Sequence, residues 1–421
     1  MSWDRFAQSK VLSRRVDDDF ARICAYVRAH PERVILGLGV LLRVGVYLSD
    51  RTYFMDESSL SANLAGKPIL DFSDGLSGDQ LAPIGFLIAE RAIMAVLGYS
   101  RYVARFLPLC FGLLALYLFS RLAQRLLSRS AALVALVLFA VSDDLTHYSS
   151  ELKPYSVDLA VALALTLMAI NALDKPITFR RGAMLAIAVI AAPWLSFASA
   201  FVVAGCGLIL ILSSLRAQRL RDGAIFLAIG IGWLVSFVLS YGASAALLSP
   251  YTTMYIFWYF AFLPVWPLFP LDAGRLASTA GILLEIFVNP LNLVAPLWPR
   301  VGVALPIVLL FQGGFSLVRR SWSAWGMLVV PIALATIASA MHRYPLHGRL
   351  ILELVPAFFL LIAEGTERWR SRNNETTRLR YVLVLILLLT YPCFASLQQA
   401  AGKYIRDFNS HGDIHKNLFI E

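Results

Sequence analysis

Long apolar runs dominate this chain and limit its fold more than any other feature. Hydrophobic residues make up 58% of the 421 residues and charged residues only 15%, whereas soluble domains average about 45–50% and about 25%. A helix needs about 20 apolar residues to cross roughly 30 Å of hydrocarbon. The runs alternate with short polar segments, so the sequence predicts an all-α polytopic membrane protein that resides in a lipid bilayer.

The basic residues predict how the spans are oriented. The formal net charge is +10. In a soluble protein such a charge would favour nucleic acid as a partner, but here the positive-inside rule explains it better. One orientation, with the N-terminus inside and the C-terminus outside, places every Arg-rich loop in the cytoplasm. It has about 11 spans, predicted at 34–48, 103–120, 130–146, 153–172, 182–196, 198–214, 223–248, 301–317, 323–340, 350–366 and 380–397.

The apolar segment 83–98 is the exception to this pattern. It carries Glu90 and Arg91 at its centre, and a charge pair in the middle of a span is costly. Counting it as a span would also put the Arg-rich loop 121–129 outside. We therefore predict a juxtamembrane helix in the first outer loop, 50–102. The predicted organisation is a cytoplasmic segment 1–32, a transmembrane domain 33–397 and an outer-face tail 398–421.

The cysteines and histidines give no metal or redox signal. Cys24, Cys110, Cys206 and Cys393 lie in separate segments without CxxC spacing, so neither a disulfide framework nor a zinc site is expected. We predict no metal and no cofactor.

The first candidate for chemistry is the adjacent pair Asp56-Glu57, just outside the first span. A carboxylate at a membrane surface suits a general base that removes a hydroxyl proton. An ordinary solvated acidic loop is the alternative, because this loop also holds Asp71, Asp74 and Asp79. Lys67 is one of its few cations.

The second candidate is the segment 148–155, which reads YSSELKPY and joins two spans on the same predicted face. Glu151 and Lys153 lie at the edge of the hydrocarbon, where ionised groups are costly unless they are paired or functional. Lys153 alternatively snorkels to the interface. Asp158, one turn into the next span, needs a partner, for which Lys153 or a Tyr hydroxyl is expected.

The third candidate is the outer link 342–349, which reads HRYPLHGR. Arg is depleted in outer loops, so Arg343 and Arg349 stand out. Arg binds phosphate and carboxylate groups bidentately. The two His are not at i, i+4 and Pro345 lies between them, so no metal is predicted.

The outer stretch 249–299 is rich in aromatic residues. It alternatively forms an interfacial aromatic belt, or a platform or lid over a lipid-linked or sugar substrate. Both interpretations stay open at the level of sequence.

Together the outer face holds carboxylates for a base, cations for a phosphate, and a membrane below. This combination favours transfer of a group from a lipid phosphate to a hydroxyl, because cations stabilise the leaving phosphate and the base activates the acceptor. A transporter or flippase of lipid-linked sugars is the main alternative, but it more often has mid-bilayer charges and inverted repeats. A structural subunit of an envelope complex is another, and it would not need these outward clusters.

Three sequence elements resemble the GT-C glycosyltransferases of family 39, the protein O-mannosyltransferase-like group that includes aminoarabinose and rhizobial galacturonosyltransferases. They are Asp56-Glu57 after the first span, the YSSELKPY segment at 148–155, and the late link from Arg343 to Pro356. The likeness extends over roughly residues 30–370. YSSELKPY is the most specific of the three.

The resemblance implies a GT-C fold and an inverting transfer from a polyprenyl-phosphate sugar to a glycan, lipid or protein acceptor. It places the active site on the periplasmic face of a bacterial inner membrane. Asp56 would be the base and Glu57 its catalytic neighbour. Glu151 and Lys153 would line the donor site, and Arg343 and Arg349 would be phosphate ligands. Lys67, Tyr148, Tyr155, His342 and Tyr344 complete the predicted set of substrate-binding residues. Relatives carry a cation before the juxtamembrane helix, where this chain reads Asp79-Gln80, and an Arg where it has Lys153.

Overall fold

A computed structural model describes most of the membrane domain. The described residues are 22, 24–72, 75–173, 176–248, 253–265, 272–295, 302–370 and 375–400. Most of the predicted segments 1–32 and 398–421, and parts of the aromatic stretch, lie outside them.

Regular structure in the described residues is entirely helical. The α-helices are α1 Pro31–Leu48, α2 Met55–Leu64, α3 Ile84–Leu97, α4 Arg101–Leu126, α5 Arg129–Ala140, α6 Asp143–His147, α7 Tyr155–Leu173, α8 Phe179–Leu195, α9 Ser199–Arg216, α10 Leu220–Ala245, α11 Met254–Phe257, α12 Ala273–Val288, α13 Ala304–Arg320, α14 Trp322–Ala340, α15 Val355–Thr366 and α16 Glu375–Ala400. Short 3₁₀ turns cover Tyr148–Ser150, Tyr259–Ala261, Gly348–Leu354 and Glu367–Trp369.

A helix is present at each predicted span, and the chain is a multi-pass membrane protein. Within the described ranges, six helices are long and apolar enough to cross a bilayer individually, namely α4, α7, α9, α10, α14 and most of α16. The full number of spans remains a prediction.

The span predicted at 130–146 is not one straight helix, because the chain bends by 57° between α5 and the segment Asp143–Ser150. The fully buried Arg43 of α1 donates to the carbonyls of Phe139 and Ala140, both at 3.2 Å. These carbonyls lie at the end of α5 and would otherwise be left without partners in an apolar interior. Arg43 therefore stabilises the break.

Helix α15 lies at the centre of the domain. All 12 of its residues are buried, as expected of a helix that is apolar all round. It packs directly on α13, where a Cβ on Gly313 would lie 1.8 Å from the Leu361 carbonyl oxygen and one on Gly365 2.1 Å from that of Leu309. Small residues thus let the two backbones touch, a common way to join helices in membranes.

Contacts between helix termini define two ends of the bundle. At one end Arg101 of α4 pairs with Asp50 after α1, and the backbone N–H of Leu76 donates to the Leu247 carbonyl after α10. At the other end Arg320 of α13 donates to the carbonyl of Leu126 at the end of α4. The first end collects all three sequence candidates. Its assignment to the outer face remains a prediction.

The segment predicted as a juxtamembrane helix forms α3. The backbone N–H of Ile84 donates to Ser244 Oγ at the end of α10, and Gly85 approaches the Trp194 carbonyl at the end of α8. Arg91 donates to the carbonyl of Asn63 in the last turn of α2 at 3.0 Å and to that of Pro68 in the following loop at 3.1 Å. These contacts place α3 at the candidate end of the bundle and explain how a charge is accommodated at its centre.

Candidate active site

Asp56 and Glu57 lie in the first turn of α2, where the helix dipole favours negative charge. The two side chains diverge. Asp56 retains 28% of its side-chain exposure, whereas the Glu57 side chain is 4% exposed. Only Asp56 is therefore accessible to a substrate.

Glu57 is held by a dense set of donors. Arg105 of α4 binds it bidentately, with Nε–Oε1 at 2.9 Å and Nη2–Oε2 at 2.7 Å. The backbone N–H of Leu152 donates to Oε1 at 2.9 Å, and that of Phe54 to Oε2 at 3.5 Å. Glu57 thus ties α2 to α4 and to the YSSELKPY segment.

We expect Glu57→Gln to lower stability as well as activity. The substitution leaves the buried Arg105 guanidinium without its carboxylate, and breaking a buried ion pair costs about 3–5 kcal/mol. A fall in Tm of the purified protein would measure the loss. Glu57→Leu combined with Arg105→Met removes both charges, so it is expected to be more stable than Glu57→Gln. Equal Tm values for Glu57→Gln and the wild type would contradict this assignment.

The YSSELKPY segment is pressed against α4. A Cβ on Gly112 of α4 would lie 2.5 Å from Ser149 Cβ, so only glycine permits this approach. Ser156 Oγ donates to the Tyr148 carbonyl at 2.6 Å, and the rings of Tyr148 and Tyr155 meet edge to face at 5.3 Å. The segment is therefore a rigid, buried support for the charged residues between the two tyrosines.

Arg349 joins the three sequence candidates. Its Nη2 donates to Asp56 Oδ2, and its Nη1 lies 3.9 Å from Glu151 Oε1. The guanidinium also lies over the rings of Tyr155 and Trp258, with Cζ at 5.6 and 5.7 Å from their centroids. Arg349 thus contacts the Asp56 and Glu151 carboxylates, which come from two distant motifs. Trp258, from the aromatic stretch 249–299, lies over its guanidinium.

Lys153 lies beside this pair. It is 8% exposed, and its Nζ donates to Gln80 Oε1. Burial lowers the Lys153 pKa to about 8, with the nearby Asp56 carboxylate opposing the shift. Gln80, in the segment before α3, is therefore a partner of Lys153.

The carboxylates respond oppositely to this environment. Burial would raise the Asp56 pKa, but Arg349 and Lys153 outweigh burial and lower it. Burial dominates for Glu151, whose pKa is raised although Arg349 and Lys153 oppose the shift. Of these two carboxylates, Asp56 is therefore the one that stays ionised more readily.

Two residues that the sequence did not single out, Arg51 and His147, orient Glu151. Arg51 Nη1 is 2.7 Å from His147 Nδ1, and His147 Nε2 is 3.1 Å from Glu151 Oε2. Arg51 Nη1 also lies 3.2 Å from His147 Nε2, so the guanidinium contacts both ring nitrogens. A neutral His147 with its proton on Nε2 would accept from Arg51 at Nδ1 and donate to Glu151. Arg51 also donates to Ser150 Oγ at 2.9 Å. The only sequence signal was an Arg within an acidic outer loop.

Four predicted site residues do not join this cluster through the contacts described. Lys67 follows α2, separated from Asp56 by most of the length of that helix. Arg343 is exposed, and His342 packs between the rings of Tyr259 and Phe262. The Tyr344 hydroxyl donates to the Leu350 carbonyl.

Asp158 lies deeper than the cluster. Its carboxylate accepts from Ser196 at the end of α8. Neither Lys153 nor a Tyr hydroxyl is the described partner, so that prediction is corrected to a serine contributed by another helix.

The cations of the cluster give it the chemistry to bind a phosphate. In the described part of the chain, no three His, Cys, Asp or Glu side chains are grouped as metal ligands. Arg349 and Lys153 instead present two cations near one ionised carboxylate. Such a set is able to bind an anion and accept a proton at the same place.

Comparison with known proteins identifies the fold. No protein-family model and no curated protein sequence matches the chain. AglB, an oligosaccharyltransferase from Archaeoglobus fulgidus solved with an inhibitory peptide and a dolichol-phosphate, aligns with a TM-score of 0.53 and 13% identity. The alignment covers 90% of this chain and 56% of AglB. A structure of an Archaeoglobus fulgidus oligosaccharyltransferase tethered with an acceptor peptide gives a TM-score of 0.55 at 12% identity, with the same coverage of both chains.

ArnT from Cupriavidus metallidurans, bound to undecaprenyl phosphate, gives a TM-score of 0.51 at 14% identity. That alignment covers 89% of this chain and 76% of ArnT. The chain therefore has the GT-C fold that AglB and ArnT share, although it spans only about half the length of AglB.

Proposed function

We propose that this protein is an inverting glycosyltransferase that moves a sugar from a polyprenyl-phosphate donor to an acceptor hydroxyl. The observation that carries the proposal is the pairing of Asp56 with Arg349 beside Lys153, at one end of a GT-C membrane fold. The donor class is supported by the dolichol-phosphate in AglB and the undecaprenyl phosphate in ArnT. The acceptor is a glycan, lipid or protein, and the site faces the periplasm of a bacterial inner membrane.

In this mechanism the acceptor hydroxyl attacks the anomeric carbon from the face opposite the phosphate. The new C–O bond forms as the bond to the phosphate oxygen breaks, so the configuration inverts. The leaving polyprenyl phosphate takes the electron pair, and Asp56 takes the hydroxyl proton. Arg349 and Lys153 stabilise the charge that develops on the leaving phosphate.

Donor binding itself activates the base. Without donor, Arg349 and Lys153 lower the Asp56 pKa, which makes Asp56 a weak base. A donor phosphate competes for both cations and neutralises part of their charge. The Asp56 pKa then rises toward its ordinary value, so proton acceptance becomes easier once the donor is in place.

The remaining predicted residues support this arrangement. Glu151, oriented by His147, positions the Arg349 fork. Tyr148 and Tyr155 form the wall behind the donor phosphate. Glu57 acts as a positioning residue rather than as a second base, because Arg105 and two backbone N–H groups already occupy its oxygens.

Turnover by the purified protein tests the proposed function. The protein is reconstituted in lipid nanodiscs with a panel of polyprenyl-phosphate sugars, and release of polyprenyl phosphate is measured. Lipid and glycan profiling of a deletion strain identifies which sugar and which acceptor to use in this assay. Accumulation of an unmodified acceptor together with transfer in nanodiscs supports the proposal. Vesicle translocation of the donor without sugar release would favour a flippase instead.

The pH dependence should identify Lys153. Its pKa of about 8 means that it is charged below pH 8 and loses its charge as the pH rises. We therefore expect kcat/KM to fall about tenfold for each pH unit above 8. Lys153→Arg keeps the charge, so the alkaline limb should disappear while some activity remains. An unchanged limb in Lys153→Arg would assign it to another group.

A further inference from the structure

A cavity of about 490 Å³ lies at the opposite end of the bundle from the candidate active site. It is enclosed by the beginning of α1, the last turns of α4 and the beginning of α5. The predicted orientation puts this end at the cytoplasmic leaflet. The proposed sugar transfer does not use it.

The cavity presents positive charge. Arg33 and Arg129 line it and are exposed, and neither guanidinium has an ion pair or hydrogen bond within the part of the chain that the structure describes. The acidic lining residue Glu32 lies in the same cavity, but it accepts from two neutral lining residues, from Ser120 Oγ at 2.6 Å and from Gln124 Nε2, and not from either guanidinium. The two guanidinium groups are therefore available to an anion.

The wall of the cavity is apolar and follows the helix into the membrane domain. Arg129, Leu133 and Leu136 are spaced i, i+4, i+7 on α5 and line the same side of the cavity. A neighbouring opening of about 380 Å³ shares Arg129 and Leu133 and adds Arg370. Positive charge at the rim and leucines below it match the two ends of an amphiphile.

We propose that this cavity binds the headgroup of an anionic phospholipid. Its phosphate lies between Arg33 and Arg129, and the upper part of an acyl chain lies along Leu133 and Leu136. The apolar wall favours a lipid over a soluble phosphate, which would leave that wall in contact with water. Basic pockets between membrane helices are a known means of recognising anionic headgroups.

Native mass spectrometry of the full-length purified protein tests the proposal with phosphatidylglycerol as the probe and phosphatidylcholine as the neutral comparator. The wild type should hold one phosphatidylglycerol in preference to phosphatidylcholine. The double variant Arg33→Gln with Arg129→Gln should weaken that binding about thirtyfold, because each of the two cations contributes to the free energy of binding an anionic lipid. Arg180→Gln with Arg181→Gln removes the same charge from exposed residues at the beginning of α8 and should leave it unchanged.

Leu133→Trp provides a second variant that fills the cavity without changing its charge, and it should also weaken phosphatidylglycerol binding. An equal loss of phosphatidylglycerol binding in the Arg33/Arg129 and Arg180/Arg181 double variants would overturn the proposal in favour of diffuse surface charge. Equal binding by all variants would overturn it as well. Displacement of the lipid by millimolar inorganic phosphate would assign the site to a soluble anion. Circular dichroism and size-exclusion profiles show whether each variant is folded.

Discussion

Replacing Asp56 with asparagine is expected to reduce kcat for sugar transfer roughly 10²- to 10⁴-fold, the contribution typical of a positioned general base. Asparagine keeps the size of the side chain but cannot take the proton of the acceptor. It also no longer attracts Arg349, which in the wild type donates to Asp56 Oδ2. Arg349 then becomes more available to the donor phosphate, so the donor KM should stay the same or fall. Steady-state kinetics in nanodiscs at varied donor concentration measures both constants.

Asp50→Asn is the matched control for this result. Asp50 is a carboxylate in the same loop, and it pairs with Arg101 at 2.7 Å in a partly exposed position. Such pairs contribute little to stability, and Asp50 has no described contact with Arg349. Its kcat should stay within about twofold of the wild type. A folded Asp56→Asn protein with a raised donor KM and unchanged kcat would show that Asp56 organises the site without acting as the base.

The sequence predicted the helices well because a bilayer demands long apolar segments. Hydropathy alone did not predict the break after α5, since the apolar pattern continues through Val141. That break is stabilised by Arg43, which is almost one hundred residues away and donates to the carbonyls of Phe139 and Ala140. Local patterns carry no information about such a tertiary partner.

The gathering of distant motifs was also predictable. Counting spans placed Asp56, Glu151 and Arg349 at one end of the bundle, and the structure brings these three into contact. The alternation of helix direction predicts a shared end of the bundle, whereas the contacts themselves come from tertiary packing. No property of the sequence, however, distinguished Arg349 from Arg343, because both flank the same short link.

The residues that orient the cluster could not be predicted either, because local patterns carry no information about tertiary contacts. Arg51, His147 and Gln80 have ordinary surroundings in the sequence, and their importance comes from contacts across loops. Conversely, Glu57 resembled Asp56 in every local respect. Its assignment as a positioning residue rests on Arg105, which approaches it from α4.

Arg349→Gln is the second variant for which we expect a large effect, a loss of roughly 10²- to 10³-fold in kcat/KM. Glutamine retains a donor but not the charge that the leaving phosphate needs. Arg349→Lys keeps the charge as a single point and loses the two-pronged geometry, so an intermediate loss is expected. Because Arg349 is buried against Asp56 and Glu151, Tm must be measured beside the kinetics to separate catalysis from folding.

Arg343→Gln completes this comparison. Arg343 is exposed six residues before Arg349, and the sequence alone made both candidate phosphate ligands. If contact with the carboxylate cluster determines the role, Arg343→Gln should change kcat/KM by no more than about twofold. Comparable losses in the two variants would mean that the whole link binds the donor phosphate. A loss in Arg343→Gln alone would contradict the geometry on which the proposed mechanism rests, because Arg349 is the residue that contacts Asp56.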